Sequence, residues 1–343
     1  MWRGILGHDQ LVERFRRTLR ADRLASTFLF VGPDGIGKRR FALALAKTLL
    51  CPTANAAELT PCDECESCRL FAAGTHPDLE LVGLIPGKSE LAISQFIGDD
   101  EHRNQEGLCH RISLRPFLGG RRVAIIDDAD HFNQASANCL LKTLEEPPPH
   151  SVLILIGTSL GRQLPTIRSR SQVVPFRALS PNDMQEILLA EGIASDRRMA
   201  EKLAEASDGS VSRARELADP ELWAFRTTLV DRIARPGWDV ASAEKAIIDF
   251  VQAAGTEAAL RRDRLRTVIG FVLEYYRALL KQAANNDVQL DPSSAAPGSL
   301  LPALDSCLAA TEQVDRNANQ SLVISHWLAN IAGHGRPLPR IGA

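Results

Sequence analysis

The chain has 343 residues, 45% of them apolar and 24% charged, with a formal net charge of −2 at pH 7. That length predicts two or three domains, and the near-neutral charge excludes binding to polyanions through overall charge, so nucleic-acid contact needs local basic patches or partner subunits. No run of about 20 apolar residues exists to span a bilayer, and the opening MWRGILGHDQ lacks the apolar core of a signal peptide, so the expectation is a cytoplasmic protein with no membrane partner.

The first half alternates strands with helices. Thr27-Phe28-Leu29-Phe30-Val31 reads as a buried strand that leads into GPDGIGKRR. The following KRRFALALAKTLL places Phe41, Leu45 and Leu49 at helical spacing. Further strands are read at 78–83, 122–127, 151–158 and 172–176, and a helix at 133–146 is stopped by Pro147-Pro148-Pro149. Continuous apolar strands alternating with helices predict a parallel sheet covered on both faces.

After about residue 178 the strands stop. Ser180-Pro181-Asn182-Asp183 reads as a helix start, Ser195-Asp196 as the next, and Asp208-Gly209 as a break. These make a small helical domain that ends near 235, where RPGWD interrupts. Beyond it Leu265, Ile269, Val272, Tyr276 and Leu279 mark one face of a long helix; 284–299 reads as a polar surface loop, and the remainder returns to helix. The expected division is 1–178, 179–235 and 240–343.

Gly32 to Lys38 fits G-x-x-x-x-G-K after a strand and before a helix, the context in which a phosphate-binding loop works. Gly32, Gly35 and Gly37 let backbone N–H groups converge on phosphate oxygens, the helix N-terminus adds its dipole, and Lys38 neutralises charge. The loop can accept the phosphates of ATP or ADP. Such loops place Ser or Thr next, as a Mg²⁺ ligand; here Arg39 offers only donors and a positive charge, so Mg²⁺ is not expected to be held. Asp127 and Asp128 end a strand where an acid would position metal and water, although two acids capping the next helix would give a similar string.

Cys51, Cys62, Cys65 and Cys68 can supply four thiolates to one tetrahedral ion. The tight C-x₂-C spacing suits Zn²⁺, and four sulfurs leave no open position, so the metal's role would be structural. An iron–sulfur cluster uses similar spacings and stays the alternative. Cys109, Cys139 and Cys307 are scattered and read as small buried apolar side chains.

The phosphate loop, the four-cysteine insertion, the segment IIDDADHFNQASANCLLKTLEEPP and LPTIRSRSQ together resemble bacterial clamp-loader subunits, the delta-prime and gamma/tau group of DNA polymerase III. Within 137–148, residues 138–148 match the N-x-L-L-K-x-L-E-E-P-P part of the family's A-x-N-x-L-L-K-x-L-E-E-P-P pattern, Ser169-Arg170-Ser171 is similar to the family's S-R-C motif with Ser for Cys, and DRNANQSLVISHWL (315–328) is similar to the opening of delta-prime's last helix. The resemblance covers residues 1 to about 217 strongly. It implies an AAA+ domain, a helical lid and a C-terminal helical collar, in a hetero-pentamer with gamma/tau and delta that meets the sliding clamp and primer-template DNA. It also implies that Arg170 acts in trans as an arginine finger on a neighbour's ATP, where residues alone would allow a surface ion pair. Thr158 stands at the position of a polar sensor that orients water, or simply caps its strand. Arg39, Asp128 in place of the family's catalytic Glu, and Ser212 in place of the lid's sensor Arg (with Arg213 adjacent) are departures. They turn the expectation toward the delta-prime branch with its own hydrolysis lost; a gamma/tau-type motor is the alternative.

Overall fold

Five apolar runs become five strands: β1 (Thr27–Val31), β2 (Leu79–Val82), β3 (Arg122–Ile126), β4 (Ser151–Gly157) and β5 (Gln172–Pro175). All pair in parallel in the order β2-β3-β4-β1-β5. In this computed structural model residues 2–285 and 297–334 are described, apart from 56, 57, 86, 119, 236 and 317. Every residue of β1, β3 and β4 is buried, which is why these segments read as unbroken apolar runs rather than alternating ones.

The helices of the first compact unit, Met1–Ala218, are α1 (Asp9–Arg20), α2 (Lys38–Leu50), α3 (Glu66–Ala72), α4 (Ile93–Ile97), α5 (Gly107–Ser113), α6 (Gln134–Glu145), α7 (Pro165–Arg168), α8 (Pro181–Ala190), α9 (Arg197–Ala206) and α10 (Val211–Leu217). They cover both faces of the sheet. On one face, Leu29, Val31, Ala124, Ile126, Leu153 and Leu155 pack with side chains of α4, α5, α6 and α7. On the other, Phe15 of α1 and Phe41 of α2 meet Phe30 with ring centroids 6.1 and 5.9 Å away. Removing a ring from such a cluster costs about 3–5 kcal/mol. The inner face of α2 is Phe41, Ala42, Leu45, Ala46 and Leu50; Leu49 is only half-buried.

The read helix starts carry their caps. Ser180 accepts from the Asp183 N–H at 3.2 Å and Asp196 from the Met199 N–H at 2.8 Å. Asn133 caps α6 by accepting from Ser136 N–H at 2.8 Å.

The second compact unit, Asp219–Ala343, is all-helical in its described residues: α11 (Pro220–Ile233), α12 (Val240–Gln252), α13 (Ala258–Asn285), α14 (Pro297–Asp315) and α15 (Gln320–His334). Leu265, Ile269, Val272, Tyr276 and Leu279 are all buried on α13. By its contacts α11 groups with this unit, so the chain divides after Ala218. The polar loop read at 284–299 falls largely outside the described residues. Among the described residues no helix is long and apolar enough to cross a membrane.

Candidate functional site

The phosphate loop joins the end of β1 to the start of α2, at the edge of the sheet where all five strands point their carboxyl ends, which is where open parallel sheets take ligands. Gly37 caps α2 with φ 94°, and a Cβ added there would meet nothing within 4 Å, so the inner side of the loop is open. The first-turn N–H groups of α2 have no carbonyl one turn earlier to bond. Lys38 is buried, and its Nζ donates to Gly32 O at 2.7 Å and Pro33 O at 2.6 Å. Burial lowers its pKa, opposed by the charges of Asp34, Asp130 and Asp127. The Asp34 carboxylate accepts from the Gly35 N–H at 2.9 Å.

Two elements pin the loop from outside. His8 is buried with its Nε2 2.8 Å from Ile36 O; a carbonyl only accepts, so Nε2 is the donor. The Val211 N–H at the start of α10 donates to Gly35 O at 2.9 Å. Ser210 and Ser212 lie so close that a Cβ on Gly35 would stand 2.2 Å from Ser210 Oγ. The lid segment therefore rests directly on the loop.

Between them is a cavity of about 500 Å³. Asp34, Gly35, Gly37, Lys38, Arg39, Asp127 and Asp128 line it, together with the apolar side chains of Ile5, Leu6, Leu179, Ile187 and Val211. Glu191 crosses one wall, accepting from Arg40 Nη1 at 2.6 Å and Arg215 Nη2 at 2.9 Å. Ser212 lines the cavity, and so does Arg215 one helical turn further on, which brings a lid arginine to the site although the sensor position itself is Ser.

Arg39 decides the metal question. Its Nε lies 3.4 Å from Asp127 Oδ2, so a guanidinium stands against the acid that would face a cation. Burial, then the neighbouring Asp128, push the Asp127 carboxyl up, and Arg39 opposes this. Arg39 sets a positive charge against a cation that Asp127 and Asp128 would attract, and it withholds the hydroxyl ligand that Ser or Thr would give at that position. Asp128 has φ 55° and accepts from the Leu84 N–H at 3.1 Å, beyond the end of β2. Mg²⁺ does not fit this set of groups.

Gly32 is set back at the base of the loop against Phe176, where a Cβ would meet Phe176 O at 2.5 Å. Thr158 is not on the cavity wall: its N–H and hydroxyl both donate to Asp130, at 2.9 and 2.5 Å to Oδ2, and Gln163 Nε2 donates to the same carboxylate. Asp130 went unnoticed in the sequence; its only signal is the fourth position of DDAD. His8, Glu191 and Arg215 were missed as well, because their partners are remote in the chain.

Arg170 follows α7, away from its own chain's cavity. Nε and Nη2 reach Glu145 Oε1 at 2.9 and 2.5 Å, and Nη1 donates to Thr166 O at 3.1 Å.

The four cysteines come together. Cys51 Sγ lies 3.6 Å from Cys62 Sγ and 3.9 Å from Cys65 Sγ, Cys62 and Cys68 are 4.0 Å apart, and all four sulfurs fall within 4.8 Å of one another. A tetrahedron with Zn–S near 2.3 Å has edges of about 3.8 Å, so the set fits Zn²⁺. Backbone N–H groups of Cys62, Cys65 and Cys68 donate to the sulfurs of Cys51, Cys62 and Cys65 at 3.3–3.4 Å. Hydrogen bonds from Thr53 and the Glu64 and Cys65 backbone pull the Cys62 thiol down to about 6, while burial pushes Cys68 up to about 12. Asp63 ties the knuckle to the rest of the unit: Arg3 grips it at 2.5 and 2.8 Å, and Lys47 of α2 reaches it at 2.5 Å. A bound zinc would cross-link this loop and take no part in chemistry, since four thiolates leave it no open position.

The sequence similarities to known proteins cover about half of the chain. Delta-prime of DNA polymerase III from Pseudomonas aeruginosa is 42% identical over 146 residues, covering 43% of this chain and 41% of its own length. Gamma/tau from Mycobacterium tuberculosis (strain H37Rv) is 34% identical over 213 residues, covering 60% of this chain and 34% of its own. The matched stretch thus spans between a third and a half of these relatives. Among solved structures, a gamma-subunit-related protein from Thermotoga maritima superposes with TM-score 0.45 at 17% identity, covering 94% of this chain and 99% of that one. The sequence profile described as DNA polymerase III, delta subunit, matches residues 7–180, which hold the phosphate loop, the cysteine knuckle, Asp127, Asp128 and Arg170. With half of its length accounted for by that profile, the chain belongs to the DNA polymerase III, delta subunit, family of clamp-loader proteins.

Proposed function

We propose that the protein is a delta-prime-type subunit of the bacterial DNA polymerase III clamp loader, working in the cytoplasm with gamma/tau and delta in a hetero-pentamer that loads the sliding clamp onto primed DNA. In this reading 1–178 is the AAA+ domain, 179–235 the lid, whose last helix α11 groups by its contacts with the second compact unit, and 240–343 the collar that holds the ring. Arg170 acts in trans, stabilising charge that develops on the γ-phosphate in a neighbouring gamma/tau subunit. The chain does not hydrolyse ATP itself. The observation that carries this is the Arg39–Asp127 contact at 3.4 Å, which takes from the loop the acid that metal-assisted hydrolysis needs. The Pseudomonas delta-prime similarity supports the same branch.

The test compares ATP turnover of the isolated chain with that of the chain mixed with gamma/tau and delta. The expectation is negligible turnover alone, and turnover in the mixture that Arg170→Ala lowers by about 10³-fold, the low end for an arginine finger, with assembly on a sizing column unchanged. A second reading, a gamma/tau-type motor, draws on the Mycobacterium similarity and on Arg215 at the cavity. It predicts DNA-stimulated hydrolysis by the chain alone that Lys38→Ala abolishes.

A further inference from the structure

The position that a divalent cation would take beside Asp127 is filled by the protein's own guanidinium, while the ammonium next to it hydrogen-bonds only to backbone carbonyls. Lys38 is 5% exposed, and both of its hydrogen bonds go to loop carbonyls. Asp34, Asp130 and Asp127 act on this charge through space, but its hydrogen-bonding shell holds no anion, and one in the open space it faces would complete it. The other cations on the wall are already paired: Arg40 and Arg215 with Glu191, and Arg39 with Asp127. Arg39 has five N–H donors in a flat fork, more than the contact of its Nε with Asp127 at 3.4 Å uses. The remaining donors suit phosphate oxygens, which guanidinium recognises in paired fashion. A Cβ on Gly37 would meet nothing within 4 Å, and Ile5, Leu6, Leu179, Ile187 and Val211 on the cavity wall give a flat ring apolar surface to lie on.

We propose that this loop binds the phosphates of a nucleoside di- or triphosphate without any divalent cation, with Arg39 bridging Asp127 and the phosphate chain where a metal ion would otherwise stand. Arg39 is then a binding residue, and nucleotide serves to hold the lid and the loop together rather than to be turned over. The inference does not rest on the role proposed for Arg170, and it is tested on the isolated full chain, so the two can fail separately.

The experiment titrates a fluorescent N-methylanthraniloyl ADP into the chain in excess MgCl₂ and, separately, in EDTA. Saturable binding with Kd equal within about threefold in the two buffers is the expected result; no saturable binding, or a larger tightening by Mg²⁺, overturns the proposal. Two variants sharpen it, each scaled to the loss of one charge-assisted contact. Lys38→Ala is expected to weaken binding by about tenfold or more in both buffers. Arg39→Thr is expected to weaken it about tenfold in EDTA and to recover in Mg²⁺, because a hydroxyl now offers the metal a ligand. Binding by Lys38→Ala that stays within threefold of the parent places the nucleotide elsewhere and overturns the proposal. So does Arg39→Thr binding that is indifferent to both EDTA and Mg²⁺. Should either variant fail to fold by circular dichroism, the comparison of buffers on the unaltered chain decides.

Discussion

Arg170 rests on Glu145, the first acid of the LEEPP segment, with Nε 2.9 Å and Nη2 2.5 Å from the same carboxylate oxygen. A finger that works in trans must leave this intramolecular partner to reach a neighbour. Half-exposed pairs of this kind are worth roughly 0.2–1 kcal/mol, so the restraint is slight but measurable. In the assembled complex Glu145→Gln is expected to raise ATP turnover about twofold, while Arg170→Ala abolishes the effect of the Glu145 change. A fall in turnover with Glu145→Gln would mean that the acid aims the guanidinium rather than detains it.

Asp130 collects the Thr158 N–H and hydroxyl and the Gln163 amide. It thereby joins the end of β4 to the segment that leads into α7 and Arg170. Asp130→Ala leaves three donors without an acceptor and is expected to cost about 3 kcal/mol in urea unfolding, at the upper end for hydrogen bonds to a charged group. Asp130→Asn keeps part of the network and should recover about half of that loss.

Zinc content and stability belong together. One zinc per chain by inductively coupled plasma mass spectrometry is expected, and stripping it with a chelator, or Cys62→Ser, should remove about 3 kcal/mol from the unit that carries the knuckle. For a unit of 150–250 residues that corresponds to a fall in Tm of roughly 6–12 °C. The Asp63 ties to Arg3 and Lys47 should keep the knuckle near α2 even without metal, so the helix signal in circular dichroism should survive below the transition. Iron with a visible absorbance band would replace zinc by a cluster.

Gly35 has φ 72° and faces Ser210 Oγ and Ser212 Cβ at 2.2 and 2.8 Å from an added Cβ. Gly35→Ala is expected to cost about 1–2 kcal/mol from backbone conformation alone and more from displacing α10. Gly161→Ala, where nothing lies within 4 Å, should stay within about 0.5 kcal/mol. Differential scanning calorimetry of the two variants checks the contrast.

His8 gives the loop a pH dependence. Burial lowers its pKa below the ordinary 6.5, opposed by its bond to Ile36 and by Asp183 and Asp9. The unfolded chain therefore binds this proton more readily than the folded one as pH drops through 6.5. Its contribution to stability is complete above that pH and declines below it, until the lowered folded value is passed. Urea midpoints at pH 5.5 and 7.5 should differ less in His8→Gln than in the parent, since Gln can still donate to Ile36 O without titrating.

The fold was legible where burial is two-sided. Strands such as SVLILIGT announce themselves because β4 is covered on both faces, and Ser180 and Asp196 announce helices because a cap is a local device. The division after Ala218 was harder, since helix follows helix there and the only mark is Asp219-Pro220 opening α11. In the site, the odd residue at 39 was visible as chemistry, but its partner was not: the Arg39–Asp127 contact depends on strand order. The same holds for Arg40, whose Glu191 lies 151 residues along the chain, and for Thr158, read as a sensor that orients water or as a strand cap, whose partner Asp130 lies 28 residues away.

Glu191 makes the seat of the lid sensitive to its medium. Its two ion pairs, to Arg40 on the loop helix and Arg215 on α10, involve arginines that are 55% and 65% exposed. Dissolved ions screen such charges over about 8 Å at physiological strength and about 3 Å at 1 M. The Val211–Gly35 backbone bond at 2.9 Å is untouched by that. Only the Arg40 pair joins the lid to the loop helix, the Arg215 pair being internal to the lid, so raising ionic strength loosens that one tie while the Val211–Gly35 bond still hinges the lid to the phosphate loop.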